Sequence, residues 1–313
     1  MASTNGTHAD SKVIWLNGKL TPYSEAVVPV LSHTLHYGTG AFEGIRAYEL
    51  SRGGTAIFRA REHFVRLFDS MRALALSSPY TLDDYLHAAH DTVRANELKS
   101  CYIRPLVYLD DAVRGLKLPE NPKVHSAIAV WPWGTYMGDE GMEKGIRVKV
   151  SSYRRADVAS SLPWAKLTGA YLTSVMARRE ATKCGLDEAI LLDPLGTVAE
   201  GSGENLFIVK DGILYTPPTT FILPGITRDS VMELAKHLGL PVYEASITRN
   251  QLYLADEVFF TGTAAEITPI REIDHRPVGP GKPGPITTAL REAYFRCVRG
   301  ELAEFRHWLS VVE

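Results

Sequence analysis

Lys166, in the stretch 160–171, is the residue whose surroundings in the sequence most clearly suit covalent chemistry. No other charged side chain occurs between Asp157 and Arg178. Apolar surroundings disfavour an ammonium ion, so a lysine placed there would hold its amine in the neutral form. A neutral amine is the form that condenses with a carbonyl compound. The alternative is an ordinary exposed lysine at the edge of a strand.

Two segments downstream of Lys166 have the composition of anion-binding loops. In residues 223–230, Gly225 precedes a helical pattern, and Thr227 is predicted to cap that helix. Free backbone N–H groups at a helix N-terminus can bind phosphate. Residues 259–266 predict a strand that leads into a loop of small residues, where further backbone N–H groups could face an anion.

Two pairs of polar residues could hold the charged ends of a ligand. Glu200 and Glu204 lie among small residues, which suggests either a carboxylate against a basic nitrogen or a plain polar loop. Tyr102 and Arg104 share one face of a predicted strand. That pair could receive a carboxylate, or the arginine could belong to an ion pair at a sheet edge.

Residues 32–48 contain three glycines together with histidines, tyrosines, a glutamate and an arginine. Glycine allows close approach of the backbone to a ligand, and the polar and aromatic side chains could line a pocket. His33 and His36 have no cysteine or carboxylate partners at ligand spacing, so no metal site is predicted. The alternative is a turn with buried polar residues.

The composition is that of an ordinary globular protein. The chain has 313 residues, of which 45% are hydrophobic and 22% charged, and its net charge is -2. This charge gives no reason to expect a nucleic acid or an anionic membrane as partner. Three widely spaced cysteines match neither a metal motif nor a disulfide framework. The polar N-terminus is unlike a signal peptide, and no apolar run is long enough to span a membrane. Together with the cysteine pattern, these features predict a cytoplasmic protein with reduced thiols.

Hydrophobic periodicity predicts a mixture of strands and helices. Asn17-Gly18 and Asp211-Gly212 predict hairpin turns, while Gly185 and Gly239 predict helix ends. Arg66 lies in a predicted helix, where it would be solvated, paired with a carboxylate or available as an anion clamp. Predicted helices are 61–75, 82–98, 171–184, one that starts at Thr227, and most of 285–312. Predicted strands include 27–31, 102–109, 127–133 and 146–153.

Six motifs in the same order resemble those of the bacterial branched-chain amino acid aminotransferases, which are fold-type IV enzymes that use pyridoxal 5′-phosphate (PLP). The motifs are His-Tyr-Gly at 36–38, Phe-Glu-Gly-Ile-Arg at 42–46, Tyr-Ile-Arg-Pro at 102–105, Glu-Gly-Ser-Gly-Glu-Asn-Leu-Phe at 200–207, Leu-Pro-Gly-Ile-Thr-Arg at 223–228 and Gly-Thr-Ala-Ala-Glu at 262–266. One motif alone is weak evidence, whereas all six in order are specific. The resemblance runs from about Trp15 to the C-terminus.

The resemblance implies an α/β (α+β) fold with a small α/β N-terminal domain and a larger pseudo-barrel C-terminal domain. Combined with the glycine-rich segment at about 133–141, taken as an interdomain loop, it predicts three parts. These are a disordered N-terminus at 1–11, a small α/β domain at 12–140 and a large PLP-binding domain at 141–313.

The resemblance also assigns cofactor roles. Lys166 would form a Schiff base with PLP and later carry a proton between the substrate Cα and C4′ of the cofactor. Glu200 would face the pyridine nitrogen, and Tyr171 would hydrogen-bond the phenolic oxygen. The phosphate-binding positions of the family are matched by Arg66, Ile226, Thr227 and Thr263.

Substrate roles follow from the same resemblance. Tyr102 and the backbone of Thr263 and Ala264 would hold the α-carboxylate, and Arg104 would receive the distal carboxylate of glutamate. Leucine, isoleucine or valine and 2-oxoglutarate would then use one pocket in turn, in a ping-pong reaction. The side-chain pocket would be walled by Phe42, Tyr37, Trp133 and Tyr136.

Two of the implied substrate contacts would come from a second copy of the chain. In the family, the residue that matches Tyr37 and the loop near Leu116 are supplied by the neighbouring subunit. The resemblance therefore implies a homo-oligomer, at least a dimer, with a shared active site. Relatives typically have Gly-Met-Gly-Val in this loop, where the present chain has Val113-Arg114-Gly115-Leu116. An inward Arg114 could bind a substrate carboxylate, whereas an outward one would be a solvated loop charge.

Three functions remain open on these observations. The first is an aminotransferase of L-branched-chain amino acids. The second is a fold-type IV transaminase of broader specificity, including transfer between (R)-amines and keto acids, which Arg114 keeps open. The third is a non-catalytic binding protein of the same fold, against which the presence of Lys166 and Glu200 argues.

Overall fold

The computed structural model describes residues 11–110, 114–134 and 138–312. Its residues divide into two compact units. Unit 1 takes its described residues from Met1–Trp133, Ala165–Ala170 and Cys297–Glu313, and unit 2 takes them from Gly134–Trp164 and Tyr171–Arg296. This division differs from the predicted linear one, because the segment with Lys166 and the C-terminal residues belong with the N-terminal part. Residues 1–10, predicted to be disordered, lie outside the described residues.

Unit 1 contains an antiparallel sheet in the order β17-β5-β4-β6-β7-β1-β2, with β3 paired to β6. Its strands are β1 Val13–Leu16, β2 Lys19–Pro22, β3 Ala41–Phe42, β4 Ile45–Glu49, β5 Thr55–Phe58, β6 Cys101–Leu109, β7 Val124–Trp131 and β17 Leu309–Val312. The longest ladder joins β6 to β7, from Tyr102↔Trp131 to Leu109↔Val124. It places the predicted Tyr102 and Arg104 on a central strand.

The helices of unit 1 are α1 His33–Tyr37, α2 Ala60–Ala73 and α3 Leu82–Ala95. Phe64, Leu67 and Met71 on α2 repeat at helical spacing and are buried. They join Tyr85 of α3 and Ile103 of β6 in one hydrophobic core. A capping box between Thr81 and Asp84 starts α3. The apolar faces of both helices therefore pack on the sheet.

Unit 2 contains a mixed sheet in the order β10-β9-β8-β15-β14-β11-β12-β13, with β16 paired to β15. The pairs β8–β9, β8–β15 and β12–β13 are parallel. Its strands are β8 Ile146–Arg154, β9 Glu188–Leu192, β10 Val198–Gly201, β11 Asn205–Lys210, β12 Ile213–Thr216, β13 Val242–Glu244, β14 Glu257–Gly262, β15 Glu266–Ile273 and β16 Arg276–Pro277.

The helices of unit 2 are α4 Gly138–Lys144, α5 Leu172–Lys183, α6 Ile226–His237, α7 Arg249–Leu254 and α8 Pro285–Val298, whose last two residues belong to unit 1. Unit 1 also has short 3-10 helices at Tyr23–Glu25 and Ala303–Trp308, and a third, Thr168–Tyr171, runs from unit 1 into unit 2 along the chain. Val148, Ile190, Leu206 and Phe260 contribute to a core formed on the sheet. Within 11–110, 114–134 and 138–312, every helix is too short or too polar to cross a membrane.

The predicted turns are confirmed. Asn17-Gly18 and Asp211-Gly212 all have positive φ, which is the backbone of a two-residue hairpin turn. Gly185 and Gly239 have φ of +73° and +71° after α5 and α6. The mixed α/β character is confirmed as well.

One prediction about secondary structure is wrong. The apolar segment 27–31 is not a strand, since Pro29 lacks an N–H and both Val27 and Val30 are exposed. The C-terminal segment is mainly helical, as predicted, with α8 ending at Val298 and a 3-10 helix at Ala303–Trp308. Gly300, at φ +76°, then redirects the chain into a 3-10 turn and into β17, which pairs with β5.

Candidate active site

Lys166 is held in unit 1 through its backbone on both sides. Its N–H donates to Ser70 Oγ of α2 at 2.9 Å, and its carbonyl accepts from the Phe42 N–H of β3 at 3.0 Å. Leu167, next in the chain, bridges to Ala41. The amine Nζ lies 5.0 Å from the centre of the Phe42 ring. A long flexible side chain therefore starts from a fixed point over an aromatic surface, as a covalent cofactor anchor requires.

The glycines of the 32–48 stretch make room for this lysine segment. Thr168 N–H donates to Gly40 O at 2.9 Å, and Thr168 Oγ1 donates to Gly38 O at 2.8 Å. A Cβ on Gly38 would lie 2.5 Å from the Cα of Gly169, and Gly38 has φ +68°. The close backbone approach expected of these glycines is therefore an approach to the lysine-bearing chain itself.

Arg104 lies in unit 1 among aromatic rings. Its guanidinium carbon is 5.0 Å from the Phe42 ring centre, 5.2 Å from that of Tyr102 and 5.8 Å from that of Trp131. Its Nη2 donates to Tyr102 Oη at 3.3 Å, and its buried Nε has no acceptor within the described residues. A desolvated cation of this kind is suited to receive a carboxylate at the edge of an apolar pocket.

One member of this aromatic cluster, Trp131, was not predicted from the sequence. Trp131 lies 5.1 Å from the Tyr102 ring, and the predicted Trp133 lies 4.9 Å from the same ring. The alternation of β7 could have shown it, because Trp131 opposes Tyr102 across the ladder. Gly44 also belongs here, since a Cβ on it would fall 1.9 Å from Tyr102 Oη. Tyr136, the remaining predicted wall residue, lies outside the described residues.

Glu43 and Arg66 form a buried ion pair in unit 1. Arg66 Nε donates to Oε1 at 2.7 Å and Nη2 donates to Oε2 at 2.9 Å, while His63 Nδ1 lies 2.8 Å from Oε2. Burial alone would raise the pKa of Glu43, but the charges and hydrogen bonds of Arg66 and His63 hold it well below its ordinary range. Burial lowers the pKa of His63, and the Glu43 carboxylate opposes that effect.

Tyr37 and Leu116 do not enter a pocket of unit 1. Tyr37 is 48% exposed at the end of α1, and Leu116 is 83% exposed. Arg114 is also exposed. The loop that carries Arg114 is attached to α1 through His33, whose Nε2 lies 2.9 Å from Gly115 O. All three predicted contact residues are therefore exposed in their own chain.

Glu200 lies buried on β10 in unit 2, with its charge compensated. Its Oε1 is 2.9 Å from Arg155 Nε, and its Oε2 accepts from Asn205 Nδ2 at 3.0 Å. Arg155 Nη2 also donates to Gly201 O at 3.0 Å, which holds the guanidinium against β10. A carboxylate held in this way can accept a hydrogen bond from a protonated ring nitrogen.

The same asparagine connects Glu200 to the start of α6. Asn205 Nδ2 donates to Leu223 O at 3.0 Å, and a Cβ on Gly225 would lie 1.9 Å from Asn205 Oδ1. Gly225, not Thr227 as predicted, is the N-cap, and it makes no side-chain cap bond. Ile226 and Thr227 are buried in the first turn. Because glycine cannot cap with a side chain, the first N–H groups of α6 suit an external anion.

The loop with Thr263 and Ala264 lies at the same end of the sheet. It connects β14 to β15, and β14 pairs with β11 such that Thr261 opposes Asn205. Both loop residues are half-buried. Tyr171 is also half-buried, and it is the residue that precedes α5. Within unit 2, Glu200, the start of α6 and the loop with Thr263 therefore lie around the ends of β10, β11 and β14.

Two further buried carboxyls lie near Glu200 and were not predicted as a group. Burial raises the pKa of Glu204 to about 8, with Glu188 and Glu200 adding to that effect. Burial also raises the pKa of Glu188, opposed by Arg178, whose Nη1 is 3.3 Å away. Glu188 lies at the start of an apolar strand in the sequence. A glutamate in such a buried strand was the one sequence feature that could have indicated this group of carboxyls. No group of described His, Cys, Asp and Glu residues is arranged to hold a metal ion.

Comparisons with known proteins show which family the chain resembles. A family model described as amino-transferase class IV matches residues 40–273. The branched-chain-amino-acid aminotransferase of Pseudomonas aeruginosa is 49% identical over 301 residues, which cover 96% of this chain and 97% of that protein.

Solved structures give the same result. The Escherichia coli branched-chain amino acid aminotransferase superposes with a TM-score of 0.95 at 45% identity, covering 97% of this chain and all of that one. The T.th. branched-chain amino acid aminotransferase, solved with pyridoxamine 5′-phosphate, superposes with a TM-score of 0.93 at 47% identity. This second superposition covers 97% of this chain and 99% of that one.

Proposed function

The chain belongs to the class IV aminotransferases, and from this membership we propose that it transfers the amino group of leucine, isoleucine or valine to 2-oxoglutarate. The products are branched 2-oxo acids and L-glutamate. Relatives named for branched-chain amino acids match nearly the whole chain, which supports this substrate class. The reaction is ping-pong, because one site serves the two substrates in turn.

The observation that carries the substrate assignment is the surroundings of Arg104. A branched aliphatic side chain needs an apolar surface, which Phe42, Tyr102 and Trp131 supply. The distal carboxylate of glutamate needs a cation, and the Arg104 guanidinium lies among those same rings with a buried Nε that lacks an acceptor within the described residues. One pocket can therefore bind both kinds of side chain.

The cofactor is pyridoxal 5′-phosphate, and the residues described above have the chemistry to bind it. When bound, it supplies an electron sink for the negative charge that develops at the substrate Cα. Lys166 would hold its carbonyl carbon, Glu200 its ring nitrogen and Tyr171 its phenolic oxygen. The phosphate would be held by Arg66, Ile226, Thr227 and Thr263. The Glu200 carboxylate, held in place by Arg155, and the glycine-capped start of α6 are the features that support this fit.

Residues of this chain would transfer the proton, orient the substrate and exclude water. Lys166 Nζ moves the proton at the substrate Cα, and its fixed backbone keeps the amine within reach. The Tyr102 hydroxyl and the backbone N–H groups of Thr263 and Ala264 orient the α-carboxylate. Phe42 and Trp133 exclude water from the substrate side chain, and Tyr136 is proposed to do the same.

A homo-oligomer, at least a dimer, is part of this proposal. Unit 1 exposes an apolar segment that would be costly to leave in water, comprising Val27, Val28, Val30, Leu31, Leu35 and Tyr37. Exposed residues of one chain would approach the substrate pocket of a second copy. These residues are Tyr37, Leu116 and Arg114. We also propose a cytoplasmic location, in agreement with free thiols at Cys101, Cys184 and Cys297.

The test is half-reaction spectroscopy on the PLP-loaded protein, mixed separately with L-leucine, D-alanine and (R)-1-phenylethylamine. L-Leucine should convert the cofactor to its amine form, and 2-oxoglutarate should then reverse the change. Lys166→Ala should abolish both half-reactions while the protein stays folded. Conversion by the amine at a rate near that of L-leucine would replace the proposal with a broader transaminase, and Arg114 would then be the first residue to substitute.

Arg104→Ala serves as the matched variant for the shared pocket. It should weaken the use of 2-oxoglutarate by at least about tenfold more than the use of leucine, because only the former brings a distal carboxylate. Equal losses for both substrates would contradict the role given to Arg104.

A further inference from the structure

Glu43 takes no part in the roles described above, yet it is one of the most buried charges in unit 1. It lies between β3 and β4 with no solvent exposure. Both carboxylate oxygens accept hydrogen bonds, from Arg66 Nε, from Arg66 Nη2 and from His63 Nδ1, all between 2.7 and 2.9 Å. A buried charge with this many partners suggests a role beyond stability, because replacing a whole buried ion pair with apolar side chains often costs no stability.

The contact with Arg66 fixes the direction of the guanidinium. Nε and Nη2 form one edge of the planar group, and Glu43 bonds to that edge in a two-point contact. The opposite edge, which carries Nη1, must then face away from Glu43. The side chain of Arg66 is only 11% exposed, so its orientation is set by this carboxylate more than by solvent. Lysine could not be oriented in this way.

The helix that carries Arg66 also holds Lys166. His63, Arg66 and Ser70 recur at spacings of three and four residues, which places them along one face of α2. Ser70 Oγ accepts from the Lys166 N–H, while Phe42, the residue before Glu43, donates to the Lys166 carbonyl. Glu43 and its two partners therefore tie β3 to α2 on both sides of the lysine.

We propose that Glu43 is a positioning residue for the phosphate group of the cofactor, acting by orienting Arg66 and by fixing α2 against the lysine segment. The proposal rests on the proposed function, since it assumes PLP and a phosphate contact by Arg66. Glu43 does not touch the phosphate, which its own charge would repel. His63 Nδ1 bonds Oε2, the oxygen that also accepts from Arg66 Nη2, and so helps to keep the carboxylate in place.

The test compares two ligands that differ only by the phosphate. Apoprotein is titrated with PLP and with pyridoxal, and binding is followed by absorbance. Glu43→Gln should raise the Kd for PLP by at least about tenfold, because an amide cannot hold both Nε and Nη2. The Kd for pyridoxal should change by less than about twofold. The control is Glu62→Gln, on the same helix, where Glu62 pairs with Arg59 and should affect neither ligand.

Glu43→Asp is a second variant that keeps the proposal testable if Glu43→Gln does not fold. It keeps the charge, but its shorter side chain cannot make the same two-point contact, so it too should weaken PLP more than pyridoxal. Equal weakening of the two ligands in both variants would show a general structural role and overturn the proposal, as would unchanged PLP binding. If the wild-type apoprotein bound neither ligand, the proposed function itself would fail.

Discussion

Each unit contains a buried cluster of glutamate and its hydrogen-bonding or charged partners, and the glutamate pKa is shifted in opposite directions in the two clusters. In unit 1, the single carboxylate of Glu43 meets two donors, Arg66 and His63. In unit 2, Glu188 and Glu204 lie near one arginine, Arg178, and Glu204 accepts a backbone N–H from Gly203 at 3.0 Å. All three glutamates are almost fully buried.

The ratio of donors to carboxyls therefore decides the protonation state. The pKa of Glu43 is lowered despite burial, because Arg66 and His63 outweigh the desolvation of its charge. The pKa of Glu204 is raised to about 8, because burial acts in the same direction as the nearby Glu188 and Glu200. Glu43 is thus an anion at neutral pH, and Glu204 is a neutral acid.

The largest expected effect is the loss of stability when the Glu43 carboxylate of unit 1 is removed. Glu43→Ala should destabilise the apoprotein by about 3–5 kcal/mol, because it leaves Arg66 buried without its carboxylate. Urea unfolding at fixed protein concentration would measure this loss. The contribution of Glu43 is fully present above its ordinary pKa and is lost as the pH falls through the lowered value. A loss as small as that of an exposed ion pair would remove the contrast between the clusters.

The second prediction uses the opposite sign of the Glu204 shift. Between its ordinary value of 4.5 and about 8, the folded state holds a proton that the unfolded state releases. The free energy of unfolding should therefore fall as pH rises through this window, by at most about 1.4 kcal/mol per pH unit. Glu204→Gln should remove that decline, so the variant should gain stability relative to wild type toward alkaline pH.

The control for the second prediction is Glu244→Gln. Glu244 is a half-exposed carboxylate of unit 2 that pairs with Arg228 at 3.0 Å, apart from the Glu188 and Glu204 cluster. Urea midpoints at about pH 5 and about pH 8 would bracket the window. Parallel pH curves for wild type and Glu204→Gln would show that Glu204 is ionised at neutral pH.

The smallest effect is expected where a carboxylate pair is exposed. Asp91 and Arg94 form an ion pair at 2.8 Å on α3, with both side chains 53% exposed. Asp91→Asn should change the free energy of unfolding by about 0.5 kcal/mol or less, since water already solvates both charges. A loss comparable to that of Glu43→Ala would mean that burial does not control these energies.

Local signals in the sequence were sufficient for several elements of the fold. The hairpin turns at Asn17-Gly18 and Asp211-Gly212 and the helix ends at Gly185 and Gly239 follow from backbone preferences of single residues. The capping position of α6 was wrong by two residues. Gly225 takes it because a side chain there would collide with Asn205, a contact from another strand that no local pattern contains.

The sequence by itself determined the chemically capable residues, Lys166, Glu200 and Arg104 among them, and the family to which they belong. Their types and order along the chain carry that information without any coordinates. Only the tertiary structure decided that Gly38 and Gly40 make room for the lysine segment, that Trp131 completes the aromatic surface and that Glu43 and Glu204 differ in charge. The physical reason is that close approach, burial and Coulomb interactions depend on distances between residues far apart in sequence.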